Sequence, residues 1–353
     1  MDKDKQPQKR LLHYDLLRIF ACFSVIMLHS ASQFWYELPM DSRNWLVANS
    51  YDALFRFGVP VFVMISGALF LAPEREVGIK RLYTHNILRL AAAYLFWSAL
   101  YGLWDSRTFQ LSEAGIKPVL LEMMAGRYHL WFVPMLIGIY MLLPILRTWI
   151  AHAGKEGVQY FLGLFLVSQI LRETLLCFID SVNVKAFLTL LPVELVGSYV
   201  GYFVLGYYIA HYGIGKKYHK WIYLLGVSGV TLAVVFGNML SLRAGEPNSA
   251  VFDSYSLFTF LPVAAIFLFF QEKISSIRFP GRIEGAIKEV SACTFGIYLL
   301  HILVIETLQS RGFHSMSVTI LAGIPLLAAV CFLLCLACIM VLRRVPFIGK
   351  YIC

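Results

Sequence analysis

The chain has 353 residues, 59% of them hydrophobic and 14% charged, with a net charge of +9 and a mean hydropathy of +0.70. Soluble domains are roughly 45–50% apolar and about 25% charged, so the composition excludes a soluble protein and points to an integral membrane protein. The basic excess reads as membrane topology rather than nucleic-acid binding, because Lys and Arg gather on alternate loops.

Along the chain, the polar stretch MDKDKQPQKR precedes an apolar run too long for a cleaved signal, so the first helix is expected to remain. Crossing ~30 Å of hydrocarbon takes about 20 residues. Ten apolar runs meet that length: 11–35, 50–72, 84–104, 128–149, 158–178, 191–212, 219–240, 253–271, 291–310 and 318–342. The most polar is 158–178, which holds Gln169 and Arg172. The expected fold is therefore an all-α, polytopic membrane protein of about ten transmembrane helices. Connections are short, so the chain divides into a tail at 1–10, a membrane domain at 11–342 and a second tail at 343–353. Lys and Arg split 19 to 8 between the two sets of loops, leaving Arg18, Arg56 and Arg89 inside helices. Both termini are predicted to be cytoplasmic. The seven cysteines are scattered, mostly in apolar runs; they read as small buried thiols, with no metal site and no disulfide framework.

Ionisable side chains inside hydrocarbon are costly and mark function or a paired structural role. The first helix carries Asp15, Arg18 and His29. Arg18 and His29 are eleven residues apart, close to three full turns, so they share a face roughly 16 Å apart along the axis. With the predicted orientation, Arg18 lies toward the cytoplasm and His29 toward the outer face. Arg56, in FRFGVPVFVMISG, falls near the depth of His29, and RYHLWFVP brings His129 and Trp131 to the same level. Asp15, Arg18 and Arg89 form a cytoplasmic group, with Lys80 and Arg81 at the surface. Two polar clusters on opposite sides imply two ligands. Each position also has a plainer reading. Lys80 and Arg81 suit solvated topology determinants, Arg89 a snorkelling side chain, Asp15 a partner for Arg18 alone and Trp131 an interfacial belt residue. His301 and Tyr298, in FGIYLLH, suit hydrogen-bonded helix residues, while His85 and His211 lie near helix ends and need no function. Ser66–Gly67 suits a close helix crossing.

The segment DLLRIFACFSVIMLH resembles the signature of the membrane acyltransferase-3 family, a basic residue and a His separated by ten others on the first helix. The likeness continues in order through VPVFVMISGALF, RLYTHNILRLAAAYLFW, YHLWFVPMLIGIY, YFVLGYYIA and TFGIYLLH, and so covers most of the chain. It departs at RLAAAY, where many members carry a proline. Within the family the chain is most similar to stand-alone O-acetyltransferases of bacterial surface polysaccharides, of the enterobacterial common antigen type.

The resemblance implies a multi-pass enzyme of the bacterial plasma membrane. It would move an acyl group from cytoplasmic acyl-CoA, with acetyl-CoA as donor co-substrate, to a hydroxyl of a cell-surface or lipid-linked glycan. On that reading Arg18, Asp15, Arg89, Arg81 and Lys80 meet the anionic end of the donor. The pantetheine arm passes between helices to His29, the general base, with transfer either direct or through an acetyl-His intermediate. Arg56 faces the oxyanion, and His129, Trp131, Tyr298 and His301 hold the acceptor. The expected partners are the glycan and membrane lipids, with no nucleic acid and an oligomeric state that the sequence does not set. The rival classes are a transporter of a small polar molecule or polysaccharide, and a donor-side subunit passing acyl groups to another enzyme.

Overall fold

The computed structural model describes residues 11–75, 78–108, 126–190, 198–346 and 348–353. The expected tail at 1–10, Lys117 and the start of the expected span 191–212 lie outside the described residues. Among those described, regular structure is helical and no strand forms. The principal helices are α1 (Leu12–Ala31), α2 (Arg43–Phe55), α3 (Gly58–Phe70), α4 (Leu88–Thr108), α5 (Phe132–Phe165), α6 (Tyr199–Tyr212), α7 (Lys216–Ala244), α8 (Leu257–Glu272), α9 (Gly281–Ser310), α10 (Ile320–Leu342) and α11 (Ile348–Ile352).

Eight segments among the described residues are long and apolar enough to cross a membrane, so the chain is an all-α polytopic membrane protein. The longest, Tyr128–Leu176, has 49 residues. It breaks at Gly154, where φ is +61°, a value glycine adopts without strain. Trp149 and Phe161 pack at 5.1 Å across that break, so the two arms lie side by side. That one segment therefore accounts for two of the expected spans, 128–149 and 158–178. The second expected span is longer than its apolar core: α2 and α3 follow one another across Arg56 and Phe57 and reach from Arg43 to Phe70.

Helices in lipid gain little from water exclusion and associate by close packing of small residues. The α3–α6 crossing is the tightest. A Cβ on Gly67 would stand 1.8 Å from the Phe203 carbonyl oxygen, and one on Gly206 would stand 2.0 Å from that of Met64. The backbones touch, as the Ser66–Gly67 pair predicts. Helix α1 lies at the centre, against α2, α3, α9 and α10. A polar chain ties α2 to α7. Trp35 Nε1 donates to Asn49 Oδ1 (3.0 Å), and Asn49 Nδ2 donates to Asn238 Oδ1 (2.8 Å).

The expected C-terminal tail, 343–353, does not extend freely. Helix α11 turns back onto α4, where Trp97 Nε1 donates to the Ile352 carbonyl (2.9 Å) and Arg89 to that of Cys353. Cys353 is 1% exposed. An indole N–H in a membrane interior needs an acceptor, and this segment supplies one.

Candidate active site

At the end of α1 that holds Asp15, the carboxylate is fully buried. Its Oδ1 accepts from Ser291 Oγ on α9 (2.7 Å) and from Arg18 Nη1 (3.1 Å). A buried carboxylate fixed from two sides holds the guanidinium beside it in one place. Asp15 Oδ1 thus ties Arg18 to α9 through Ser291. Arg89 reaches the same end from α4, with its guanidinium 6.0 Å from the centre of the Phe295 ring.

Arg18 and Arg89 line one cavity of about 310 Å³, together with His85 and Asn86. It continues past Ser66 and Tyr140 to Phe132 and Tyr298. Lys80 and Arg81 are exposed on the short helix before it and do not line it. His85, read from the sequence as needing no function, does line it. The signal was present: it stands four residues before Arg89, one turn away on the same face. Residues Leu82–Ile87, which include His85, form a wider π-type turn, a local geometry frequent at functional sites.

The far end of the cavity meets an imidazole cluster. Tyr298 lines the cavity, donates from its hydroxyl to the His129 carbonyl, and lies 5.8 Å from the His301 ring. The His29 and His301 ring centres are 5.1 Å apart, and those of His129 and His301 are 5.2 Å apart. His29 and His129, expected at one level, thus gather there with His301, from a third distant part of the chain. His29 is half-buried, whereas His129 and His301 are 2% and 0% exposed and stand behind it.

Arg56 does not join them as a free guanidinium. Its Nε and Nη2 donate to the two carboxylate oxygens of Asp52 (2.8 and 2.7 Å), and it lies 5.2 Å from the centre of Phe252. Asp52 precedes Arg56 by one turn of α2, a pairing also visible in the sequence. Trp131 packs on Tyr199 at 5.5 Å. The aromatic side chain beside His29 is instead Tyr128, 60% exposed, with its ring 5.6 Å away and edge-on. Next to it Arg127 pairs with Glu306 of α9. Sequence reasoning passed over Tyr128, Arg127 and Glu306, because the ion pair joins positions 179 residues apart and no local pattern announces it.

Two arginines, a narrow cavity and a histidine cluster at its far end form a continuous arrangement across the helix bundle. No curated protein and no solved structure matches the chain. The sequence profile of the membrane acyltransferase-3 family, described as an acyltransferase domain, matches residues 12–344. Spanning nearly all of the described helices, that match makes the chain a member of the membrane acyltransferase-3 family.

Proposed function

We propose that this membrane acyltransferase moves an acetyl group from acetyl-CoA, bound from the cytoplasmic side, to a hydroxyl of a cell-surface or lipid-linked glycan, in the bacterial plasma membrane. The observation that carries the reading is the cavity between the Arg18–Arg89 end and Tyr298, which stands against the imidazole cluster. The anionic end of the donor suits guanidinium groups, which pair with phosphates through charge-assisted bonds. Its pantetheine arm is thin and only modestly polar, and suits a channel walled by Leu69, Phe70, Leu136 and Phe295. The span between Arg18 and His29, roughly 16 Å, measures out the donor so that its thioester arrives at His29.

There His29 takes the proton of the acceptor hydroxyl as its oxygen attacks the thioester carbon. The new C–O bond forms, the C–S bond breaks, and the thiolate leaves with the proton returned by His29. Arg56, with two donors committed to Asp52, contributes positive potential at this end rather than a full fork to the oxyanion. Tyr128, exposed beside His29, offers the sugar ring an aromatic face in the place expected of Trp131. His129 and His301, being buried, suit a role behind His29 better than contact with the acceptor.

The test separates binding from chemistry on one preparation. Purified His29→Ala is expected to remain folded and to bind acetyl-CoA as the wild type does. Transfer to membrane glycolipid should fall by about 10²–10⁴-fold, the contribution of a positioned general base. Wild-type transfer by His29→Ala would remove His29 from the chemistry. A wild-type protein that consumes no acetyl-CoA would favour transport instead.

A further inference from the structure

His301 is fully buried, and its two ring nitrogens are in different situations. Nδ1 lies 2.5 Å from the Tyr298 carbonyl oxygen. A carbonyl only accepts, so Nδ1 carries the proton, and in the neutral ring Nε2 is a bare lone pair. That Nε2 is buried with no hydrogen-bond partner among the described residues. An unsatisfied acceptor in a membrane interior is costly, so its persistence calls for a donor.

His129 cannot supply one. Its Nε2 faces the Leu299 carbonyl oxygen at 3.4 Å and carries its proton there, which leaves Nδ1, also buried and without a partner, as a second lone pair. Two lone pairs do not bond. Tyr298 and Tyr101 are committed as well, their hydroxyls donating to the His129 and Leu299 carbonyls. The remaining ring is His29, 5.1 Å from His301 between centres. An N–H···N bond of about 2.9 Å, with about 1.1 Å from each nitrogen to its ring centre, gives a separation of about 5 Å. The spacing already fits a hydrogen bond. A turn of the His29 ring that brings a ring N–H to face His301 Nε2 completes the bond at this spacing.

We propose that His301 is the positioning partner of His29: its Nε2 accepts the N–H of His29 and thereby sets the other nitrogen of His29 as the lone pair that takes the acceptor's proton. The inference rests on the acyl-transfer reading above and adds the orienting group to it. The acceptor O–H proton moves to His29, and the far N–H stays bonded to His301 Nε2 throughout. The same catalytic proton then passes to the departing thiolate, so His301 ends the cycle unchanged. Tyr298, by holding His301 Nδ1–H on its carbonyl while lining the cavity, links the bound donor to the orientation of the base.

Two arms test this, and only one depends on the acyl-transfer reading. The protein is labelled with ¹⁵N-histidine and studied in lipid bilayers by solid-state NMR, with His301→Gln assigning the His301 signals. A protonated Nδ1, an unprotonated Nε2 and a through-bond coupling to His29 are expected. A His301 protonated on Nε2, or no coupling to His29, overturns the proposal. The second arm follows CoA release from acetyl-CoA with membrane glycolipid as acceptor. His301→Leu should lower kcat by about 100-fold while leaving acetyl-CoA binding and its KM unchanged. His301→Gln, which keeps an acceptor oxygen at that reach, should stay within about tenfold of the wild type. Wild-type kcat in His301→Leu, lost donor binding in both variants, or a Gln variant as slow as Leu each overturns it. If the wild type itself releases no CoA, the acyl-transfer reading fails while the NMR arm still decides the contact.

Discussion

Arg89 lines the cavity, and its guanidinium also donates to the Cys353 carbonyl, so one side chain serves both the site and the returning C-terminal segment. A charge-assisted contact contributes roughly 1.5–3 kcal/mol. If the donor's phosphates meet Arg89, Arg89→Ala should raise the KM for acetyl-CoA by about tenfold or more with kcat nearly kept, the signature of lost uniform binding. A donor lacking its 3′-phosphate should lose less from the same change. Steady-state kinetics with both donors checks this, and an unchanged KM would confine Arg89 to holding Cys353. At the same scale, much of the site was legible locally. The Arg18–His29 spacing, and the Asp52–Arg56 and His85–Arg89 spacings of one turn, follow from helical geometry alone. What sits on the third helix in contact with each of them does not.

At the scale of elements, the α3–α6 crossing sets the wall of the cavity, because Ser66 faces the cavity while the neighbouring Gly67 touches Phe203. Side chains have no room at that crossing. Gly206→Val should cost roughly 3 kcal/mol through overpacking against the Met64 backbone. The expected result is a lower yield of monodisperse protein and a lower midpoint of thermal aggregation in detergent. Gly285→Ala on α9, where a new Cβ meets nothing within 4 Å, is the control and should behave as the wild type. Equal behaviour of the two variants would show that the crossing is looser than described. The Gly in MISGALF was readable as a contact residue, but its partner, Phe203, was not, since nothing local in the sequence names it.

For the whole molecule, the arrangement has a direction. Arg18, Arg89 and the folded-back C-terminal segment lie at one end, and His29, His129, His301 and the Arg127–Glu306 pair lie toward the other. The basic bias of 19 to 8 predicts that the first end faces the cytoplasm. In a chain whose native cysteines are changed to alanine, Arg278→Cys and Arg311→Cys place exposed thiols on the loops before and after α9. A membrane-impermeant maleimide added to intact spheroplasts should label Arg311→Cys and leave Arg278→Cys unlabelled. The reverse pattern would invert the molecule and put the donor end outside.

Composition and hydrophobic run length by themselves determined that the chain is an all-helical membrane protein, and the ordered motifs pointed to its family. They could do so because lipid allows few spanning architectures, and because a helix places residues at fixed angles and depths. Only the tertiary structure decided which helices touch, and therefore which polar atoms are satisfied. It put Tyr128 beside His29 in place of Trp131. It buried His301 with one nitrogen bonded and one bare, and folded 348–353 back onto Trp97 and Arg89. Each of these outcomes depends on contact between helices far apart in the chain. Small residues and hydrogen-bond satisfaction select those contacts in lipid, and neither leaves a periodic trace in the sequence.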